Sequence, residues 1–233
     1  MMDEKRSDYR SEIVVIIPAL NEEEAIGHVV RDVPAWVSKV IVVDNGSTDR
    51  TVERAQEAGA VVVHEPQRGY GFACLKGMEQ VEDEYVIVFL DGDYSDFPEE
   101  MVRLIDPILS GEADLVTGSR LSGERERGAM LPHALVANVI FSLLLRLFCG
   151  LRVTDIGPFR AIRKDKLIAL ELKEYTYGWT LEMMIKAARL GLKVMEVPVS
   201  YRRRLGHSKV SGSLWVSLKV GAKMFSTMRY CWQ

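Results

Sequence analysis

The sequence predicts one α/β domain in which a mostly parallel β-sheet lies between layers of helices. Short apolar runs rich in β-branched residues alternate with helical segments along the first half of the chain, as in repeated strand–helix–strand units. Clusters of Asp, Asn, Gly and Ser follow these runs, where strands give way to loops. The length of 233 residues is enough for one domain with a large core.

The apolar runs predict five strands, at residues 13–17, 39–43, 60–64, 85–90 and 114–118. The fourth run reads Tyr-Val-Ile-Val-Phe-Leu, which is typical of a strand buried on both faces. Helices are predicted at residues 22–31, 51–58, 69–81 and 99–109, and Gly59 ends the second of them. This alternation is what places helices on both faces of a parallel sheet.

The composition argues against nucleic acid as a partner, because the formal net charge is −3. The charge is unevenly distributed, however. No Asp or Glu follows Glu196, whereas seven Lys or Arg residues do: Arg202, Arg203, Arg204, Lys209, Lys219, Lys223 and Arg229. A basic end on an acidic protein indicates an anionic partner, such as a phosphate or a membrane surface.

Cysteine usage and hydropathy predict a cytoplasmic protein. Cys74, Cys149 and Cys231 lack metal-type spacing, which fits unpaired thiols in a reducing compartment. The charged segment 1–12 lacks the apolar region of a secretion signal. The most apolar stretch, residues 131–151, is interrupted by four polar residues and falls short of the roughly 18 apolar residues of a membrane-spanning helix. No transmembrane segment is therefore predicted.

The segment Asp91-Gly92-Asp93 is the strongest chemical signal. It directly follows the fourth strand, so both carboxylates lie at the carboxyl edge of the sheet, where open α/β sheets bind ligands. Two neighbouring carboxylates repel each other unless a cation lies between them, and Mg²⁺ or Mn²⁺ with oxygen ligands fits. The alternative is an ordinary acidic turn.

Other motifs narrow the chemistry. The first strand is not followed by G-x-G-x-x-G, and no G-x-x-x-x-G-K-[ST] occurs, which disfavours dinucleotide-binding and P-loop proteins. An EF-hand is excluded because Asp96 stands where the calcium loop needs Gly. A phosphatase with an aspartate nucleophile stays open, although that class usually carries its Asp pair on the first strand.

Four motifs in order resemble glycosyltransferase family 2, whose members have the Rossmann-like GT-A fold. They are Pro18-Ala-Leu-Asn-Glu22, Val42-Val-Asp-Asn-Gly-Ser-Thr-Asp49, Gly69-Tyr-Gly71 and Asp91-Gly-Asp93. Five later segments resemble the polyprenyl-phosphate sugar synthases, the dolichyl-phosphate mannose synthase branch: Gly118-Ser-Arg120, Thr154-Asp-Ile-Gly-Pro-Phe-Arg160, Gly178-Trp-Thr-Leu-Glu182, Glu196-Val-Pro198 and Arg203-Arg-Leu-Gly-His-Ser-Lys209. The resemblance covers residues 12–212.

The resemblance implies a set of site residues. It implies that the donor nucleotide and its diphosphate contact Pro18, Leu20, Glu22, Val42, Asp44, Asp91, Gly92, Asp93 and Ser95. Asp91 and Asp93 would bind the metal, with Asp93 the principal ligand, and Ser95 stands where the family often has Gln. The residues that it implies for catalysis are Asp93, Arg120, Asp155, Arg203 and Lys209, with Arg120, Arg203 and Lys209 on phosphates.

The implied reaction moves a hexose from a nucleotide-diphosphate sugar, of the GDP-mannose or UDP-glucose type, with inversion. The leaving diphosphate gains charge, which Mg²⁺ or Mn²⁺ would neutralise. A polyprenyl phosphate acceptor is already ionised, whereas a sugar or other hydroxyl would need a general base. Asp155 and Glu182 are the candidates for that base or for contacts to the sugar. A non-catalytic nucleotide-sugar-binding subunit is a further alternative.

A lipid acceptor requires contact with the membrane. The sequence predicts a tail at 1–11 and a catalytic domain at 12–211, followed by a basic amphipathic helix at 212–233. The candidates for this contact are that helix and an amphipathic helix at about 131–150, inside the domain. Either could instead pack on the core or across a homo-oligomer. Peripheral binding at the inner face of the membrane, or a membrane-protein partner, is therefore expected.

Overall fold

The structure is a computed structural model that describes residues 12–83, 85–206, 222, 223 and 225–227. Seven strands form one sheet: β1 (Ile13–Ala19), β2 (Lys39–Asp44), β3 (Val61–His64), β4 (Val86–Phe89), β5 (Leu115–Ser119), β6 (Arg160–Arg163) and β7 (Val194–Pro198). The α-helices are α1 (Ile26–Asp32), α2 (Thr51–Glu57), α3 (Tyr70–Met78), α4 (Met101–Leu109), α5 (Pro132–Cys149), α6 (Lys164–Ala169) and α7 (Trp179–Arg189). A 3₁₀ turn, Pro98–Glu100, precedes α4.

The strand order is β3-β2-β1-β4-β6-β5-β7, and β1 lies between β2 and β4, parallel to both. The strands β2 and β3 lie in succession on one side of β1, and the next strand along the chain, β4, lies on the other side of β1. This reversal creates a crevice at the carboxyl ends of β1 and β4, where open α/β sheets bind ligands. The segment that follows β4 is Asp91-Gly92-Asp93, so the fold brings it to this crevice.

Helices cover both faces of the sheet, which explains the continuous apolar runs of the strands. One core cluster contains Trp179, Met183 and Leu145 from α7 and α5. The other contains Met101, Leu104 and other residues of α4, together with α1. The predicted α/β class with a mostly parallel sheet is confirmed.

The strand β6 departs from the parallel pattern, because it pairs antiparallel with both β4 and β5. Its sequence, Arg-Ala-Ile-Arg, has no apolar run, which is why the sequence did not predict a strand there. Arg160 is fully buried and donates hydrogen bonds to the carbonyl groups of Gly157 and Thr180. Burial lowers the pKa of Arg160 to about 10. The buried guanidinium thus ties β6 to the start of α7.

The helix α5 presents most of its apolar side chains to solvent. Its buried residues are Phe141, Ser142 and Leu145, so a polar side chain faces the protein. The exposed apolar side chains form a stripe along the helix: Val136, Val139, Ile140, Leu143, Leu147 and Phe148. Within the described residues α5 alone is long and apolar enough to cross a membrane, by its length of 18 residues and its composition. Only 17% of the helix is buried in the protein. The four polar interruptions in the sequence predict that no membrane span lies here, whereas by length and composition this helix meets the requirement.

The predicted C-terminal amphipathic helix lies mostly outside the described residues. Residues 222, 223 and 225–227 are helical. In this segment Phe225 packs on Phe141 of α5, with ring centroids 5.1 Å apart.

Candidate active site

A cavity of about 350 Å³ lies at the crevice between the ends of β1 and β4. Such a volume is within the range of small-molecule sites. Its lining includes six of the residues that the sequence predicted for the donor site: Pro18, Leu20, Glu22, Asp91, Gly92 and Asp93. It also includes residues that the sequence analysis did not select: Ala19, Asn45, Arg68, Gly69, Tyr70, Ala73, Thr176, Tyr177 and Arg204.

The two aspartates lie side by side in the cavity wall. Burial, and then the charge of Asp93, raise the pKa of Asp91 to about 7. Asp93 is buried, and its Oδ1 accepts hydrogen bonds from the backbone N–H and the hydroxyl of Ser95, at 3.0 and 2.5 Å. Ser95 therefore fixes the orientation of Asp93. The turn lies against the end of β1, since a Cβ at Gly92 would be at van der Waals distance, 3.4 Å, from the Pro18 carbonyl oxygen.

Asp91 and Asp93 form an acidic wall of the cavity, and Arg204 places a positive charge beside it. Its Nη1 lies 3.2 Å from Asp93 Oδ2, and its Nη2 donates to Glu22 Oε1 at 2.7 Å. The segment that carries it is hydrogen-bonded along the turn that holds Asp93, from Arg202 N–H to the Ser95 carbonyl and from Leu205 N–H to the Asp93 carbonyl. The backbone contacts thus hold the guanidinium beside Asp93.

The predicted Arg203 does not line the cavity. Its side chain is exposed and donates to the carbonyl oxygen of Arg127, while its backbone N–H donates to Glu126. The Arg204 side chain instead contacts Asp93 and Glu22 and lines the cavity. Lys209 lies outside the described residues. The roles assigned to Arg203 and Lys209 stay predictions.

Arg120 and Asp155 form a buried ion pair behind the cavity. Arg120 Nε and Nη2 donate to the two carboxylate oxygens of Asp155 at 2.7 and 2.8 Å, and the Arg120 backbone N–H donates at 3.0 Å. Burial alone would raise the pKa of Asp155, but the Arg120 guanidinium and these hydrogen bonds lower it. Glu196 supports the pair by accepting from the Asp155 backbone N–H at 3.1 Å. Neither member of the pair lines the cavity.

Glu182 is fully buried and holds a loop. Its carboxylate accepts from the backbone N–H groups of Lys173 and Glu174 and pairs with Lys186 at 2.8 Å. The same loop continues to Thr176 and Tyr177, which line the cavity. Glu182 thus shapes the cavity wall from behind.

Two predicted donor-site residues on β2 lie outside the cavity lining. Val42 is buried in the core of the sheet. Asp44 accepts from the Ser47 backbone N–H at 2.9 Å, and its Oδ2 lies 3.2 Å from His64 Nδ1. Burial would raise the pKa of Asp44, but these hydrogen bonds lower it. The adjacent Asn45 lines the cavity instead, and its side chain accepts from the Gly69 backbone N–H at 2.8 Å.

Residues 14–170 match the family model described as glycosyl transferase family 2. The chain belongs to glycosyltransferase family 2. It is 40% identical over 204 residues to an uncharacterized glycosyltransferase of Mycobacterium tuberculosis (strain ATCC 25618 / H37Rv), a match that covers 87% of this chain and 91% of the relative.

Two relatives bear names of the branch that the motifs resemble. A dolichyl-phosphate hexose transferase of Haloferax volcanii is 34% identical over 203 residues, covering 85% of this chain and 86% of the relative. An undecaprenyl-phosphate mannosyltransferase of Micrococcus luteus is 34% identical over 223 residues, covering 87% and 88%. The resemblance stated from the motifs is confirmed, and this family 2 member is an enzyme, a glycosyltransferase.

The fold agrees with the same family. A crystal structure of glucosyl-3-phosphoglycerate synthase from Mycobacterium tuberculosis superposes with a TM-score of 0.80 and 24% identity, covering 98% of this chain and 83% of that chain. That structure is a complex with Mn²⁺, UDP-glucose and phosphoglyceric acid. The predicted GT-A fold is thereby confirmed.

The acidic wall of this family 2 enzyme fits a divalent cation shared with a substrate. Among the described residues no group of three or more His, Cys, Asp or Glu is placed to hold a metal. Mg²⁺ commonly takes only one or two carboxylates and completes its shell with phosphate oxygens and water. Asp91 and Asp93 meet this requirement, because both line one cavity and a bound cation would offset the burial and the charge of Asp93 that raise the pKa of Asp91. The Asp96 carboxyl is buried nearby, and burial keeps its pKa well above the usual range.

The Gly69-Tyr70-Gly71 motif lets the loop at 173–178 pack directly on the start of α3. A Cβ at Gly71 would lie 2.2 Å from the Glu174 carbonyl oxygen. Gly71→Ala is therefore expected to displace the loop and to destabilise the enzyme by about 1 to 3 kcal/mol. Chemical denaturation of the variant measures this. Gly27→Ala is the control, because a Cβ there meets only the flexible end of Arg31 and Ala favours the helix. Equal stability of both variants would contradict the close packing.

Proposed function

We propose that this enzyme transfers a hexose from a nucleotide-diphosphate sugar to a polyprenyl phosphate, with a divalent cation and with inversion at the anomeric carbon. The observation that carries the proposal is the meeting of Asp91, Asp93 and Arg204 in one cavity at the carboxyl edge of the sheet. The names of the two relatives in the polyprenyl-phosphate branch support the same acceptor class.

The donor half of the reaction uses the acidic wall. Asp93 and Asp91 would hold Mg²⁺ or Mn²⁺, which when bound neutralises the charge that develops on the leaving diphosphate. Ser95 holds the Asp93 carboxylate in place through two hydrogen bonds. Arg204 adds a guanidinium to the same cavity, and a planar guanidinium suits phosphate oxygens.

The acceptor half favours a group that is already ionised. A hydroxyl acceptor would require a carboxylate with an oxygen available to take its proton. Both candidates for that base are engaged: Asp155 by Arg120 and two backbone N–H groups, and Glu182 by the loop backbone and Lys186. An ionised phosphate oxygen attacks without a base, so the engagement of these two carboxylates agrees with a polyprenyl phosphate acceptor.

The exposed face of α5 supports peripheral binding at the cytoplasmic face of a membrane. Its stripe of apolar side chains would enter the lipid interface while Ser142 stays against the protein. Leu143→Glu and Leu147→Glu together are expected to lower binding to phospholipid vesicles by a factor on the order of one hundred or more, since each buried Leu contributes roughly 1.5 to 3 kcal/mol. Vesicle co-sedimentation measures the change.

The control for this test is a pair of equally exposed apolar residues elsewhere. Ile168 on α6 and Leu190 after α7 are 58% and 53% exposed. Ile168→Glu with Leu190→Glu is expected to leave vesicle binding unchanged. Equal losses in both double variants would show that the stripe on α5 is not the membrane contact.

A transfer assay tests the whole proposal. Purified enzyme is incubated with Mg²⁺ or Mn²⁺, a panel of radiolabelled GDP- and UDP-sugars, and a short-chain polyprenyl phosphate. Label that moves into the organic phase from one donor supports the proposal and identifies the sugar. Label that moves only to added sugar or alcohol acceptors would replace it with a hydroxyl-acceptor reaction. Phosphate release from simple phosphate esters, without sugar transfer, would indicate the phosphatase alternative.

A further inference from the structure

The loop at residues 173–178 forms one wall of the cavity through Thr176 and Tyr177. One side of this loop rests on the start of α3, where the ring of Tyr175 stacks on Phe72 with centroids 4.5 Å apart. Its first backbone N–H groups are held by Glu182. These contacts fix the base of the loop. The conformation of its tip depends on a further carboxylate, Glu174.

Glu174 organises the tip. Its Oε1 accepts from the backbone N–H of Thr176 at 2.9 Å and from the Thr176 hydroxyl at 2.5 Å. Its Oε2 lies 2.9 Å from Lys223 Nζ and 3.3 Å from the Thr227 hydroxyl oxygen. One oxygen thus holds a cavity residue, and the other contacts the helical segment at 222–227.

That segment packs closely on the loop. Thr227 is buried, and a Cβ at Gly178 would lie 2.3 Å from its hydroxyl oxygen. On its other side the segment contacts α5 through Phe225 and Phe141. The segment at 222–227, more than 40 positions away in sequence, therefore supports the cavity wall at Thr176 and also contacts α5.

We infer that Glu174 is a positioning residue for the donor substrate, and that Lys223 braces it from the C-terminal segment. The inference rests on the proposed function, because it takes the cavity to be the donor site. A loop already held in its binding conformation loses less conformational entropy when the nucleotide binds. Lys223 does not line the cavity, so its effect must act through Glu174 and Thr176.

The substitution Lys223→Met tests this inference, because it removes the ion pair with Glu174 and leaves the residues that line the cavity unchanged. Binding of UDP and of GDP, each with Mn²⁺, is measured by calorimetry, and amide hydrogen exchange is followed at residues 173–178. We expect nucleotide binding to weaken roughly threefold to fivefold and exchange of the loop amides to accelerate by a similar factor, as loss of a partly exposed ion pair allows. The melting temperature should change by no more than about 3 °C.

Two further variants control for the loss of charge. Lys223→Arg keeps the ion pair and should behave like the wild type. Lys76→Met breaks the exposed pair of Lys76 with Glu79, at 2.6 Å, outside the cavity lining, and should change neither binding nor exchange of the loop. Wild-type nucleotide affinity in Lys223→Met would overturn the inference and leave the proposed function standing. A wild-type enzyme that binds neither nucleotide would overturn both.

Discussion

Asp93→Asn is expected to lower transfer of the hexose by roughly 10³-fold or more, while the protein stays folded. The change preserves the shape of the side chain but removes the charge that a divalent cation requires. It also removes the repulsion between Asp93 and Asp91 and weakens the partly exposed ion pair with Arg204, so the melting temperature should change by no more than about 4 °C. The variant is measured in the transfer assay, and Mn²⁺ binding in the presence of UDP or GDP is measured separately by calorimetry.

Glu99→Gln is the matched control for this prediction. Glu99 is an exposed carboxylate that follows the same turn and does not line the cavity. It should retain wild-type activity and Mn²⁺ binding. Metal binding and transfer that survive unchanged in Asp93→Asn would show that the acidic pair is only a turn, which is the alternative that the sequence left open.

Asp155→Asn is expected to be the most destabilising single change at the site. It leaves the Arg120 guanidinium buried without its counter-charge, which costs about 3 to 5 kcal/mol. For a protein of this size the melting temperature should fall by about 6 to 20 °C. Calorimetry measures the loss. Asp165→Asn is the control, because its pair with Arg163 is exposed and should contribute no more than about 1 kcal/mol.

The ion pair also predicts a pH dependence. Because the pKa of Asp155 is lower in the folded protein than in the unfolded chain, its contribution is fully present above the unfolded value of about 3.9. It is lost as the pH falls from there through the lower folded value. The gap in stability between wild type and Asp155→Asn should therefore be constant from neutral pH down to about pH 5 and then narrow. A gap that narrows near neutral pH would contradict this assignment.

The positions of the donor-site motifs could be predicted because parallel strands end at the same edge of a sheet. Pro18 lies in the last residues of β1 and Leu20 follows that strand, Asp91 and Asp93 follow β4, and all four line the cavity. The rest of the wall comes from segments whose position depends on packing. Arg204, for example, enters the cavity because its backbone pairs with the turn that carries Asp93.

The role of a side chain could not be predicted from the local sequence where its contacts are with residues far along the chain. The three consecutive arginines at 202–204 look alike in sequence. Only their contacts in the fold separate Arg204, which reaches Asp93, from Arg203, which reaches the Arg127 carbonyl oxygen. In the same way, Asp155 and Glu182 look like candidate bases. The structure shows both engaged, by Arg120 and by the loop backbone.

The fold class, the family and the edge of the sheet that carries the chemistry could be read from the sequence, because they depend on periodicity and on residues next to each strand. The side chains that share the cavity and the exposed face of α5 became clear only from the folded chain. Ser142 interrupts the apolar stretch in sequence, yet it is buried while Leu143 and Leu147 face outward. The physical reason is that burial and charge pairing depend on neighbours in space, and Arg204 meets Glu22 across 182 positions of sequence.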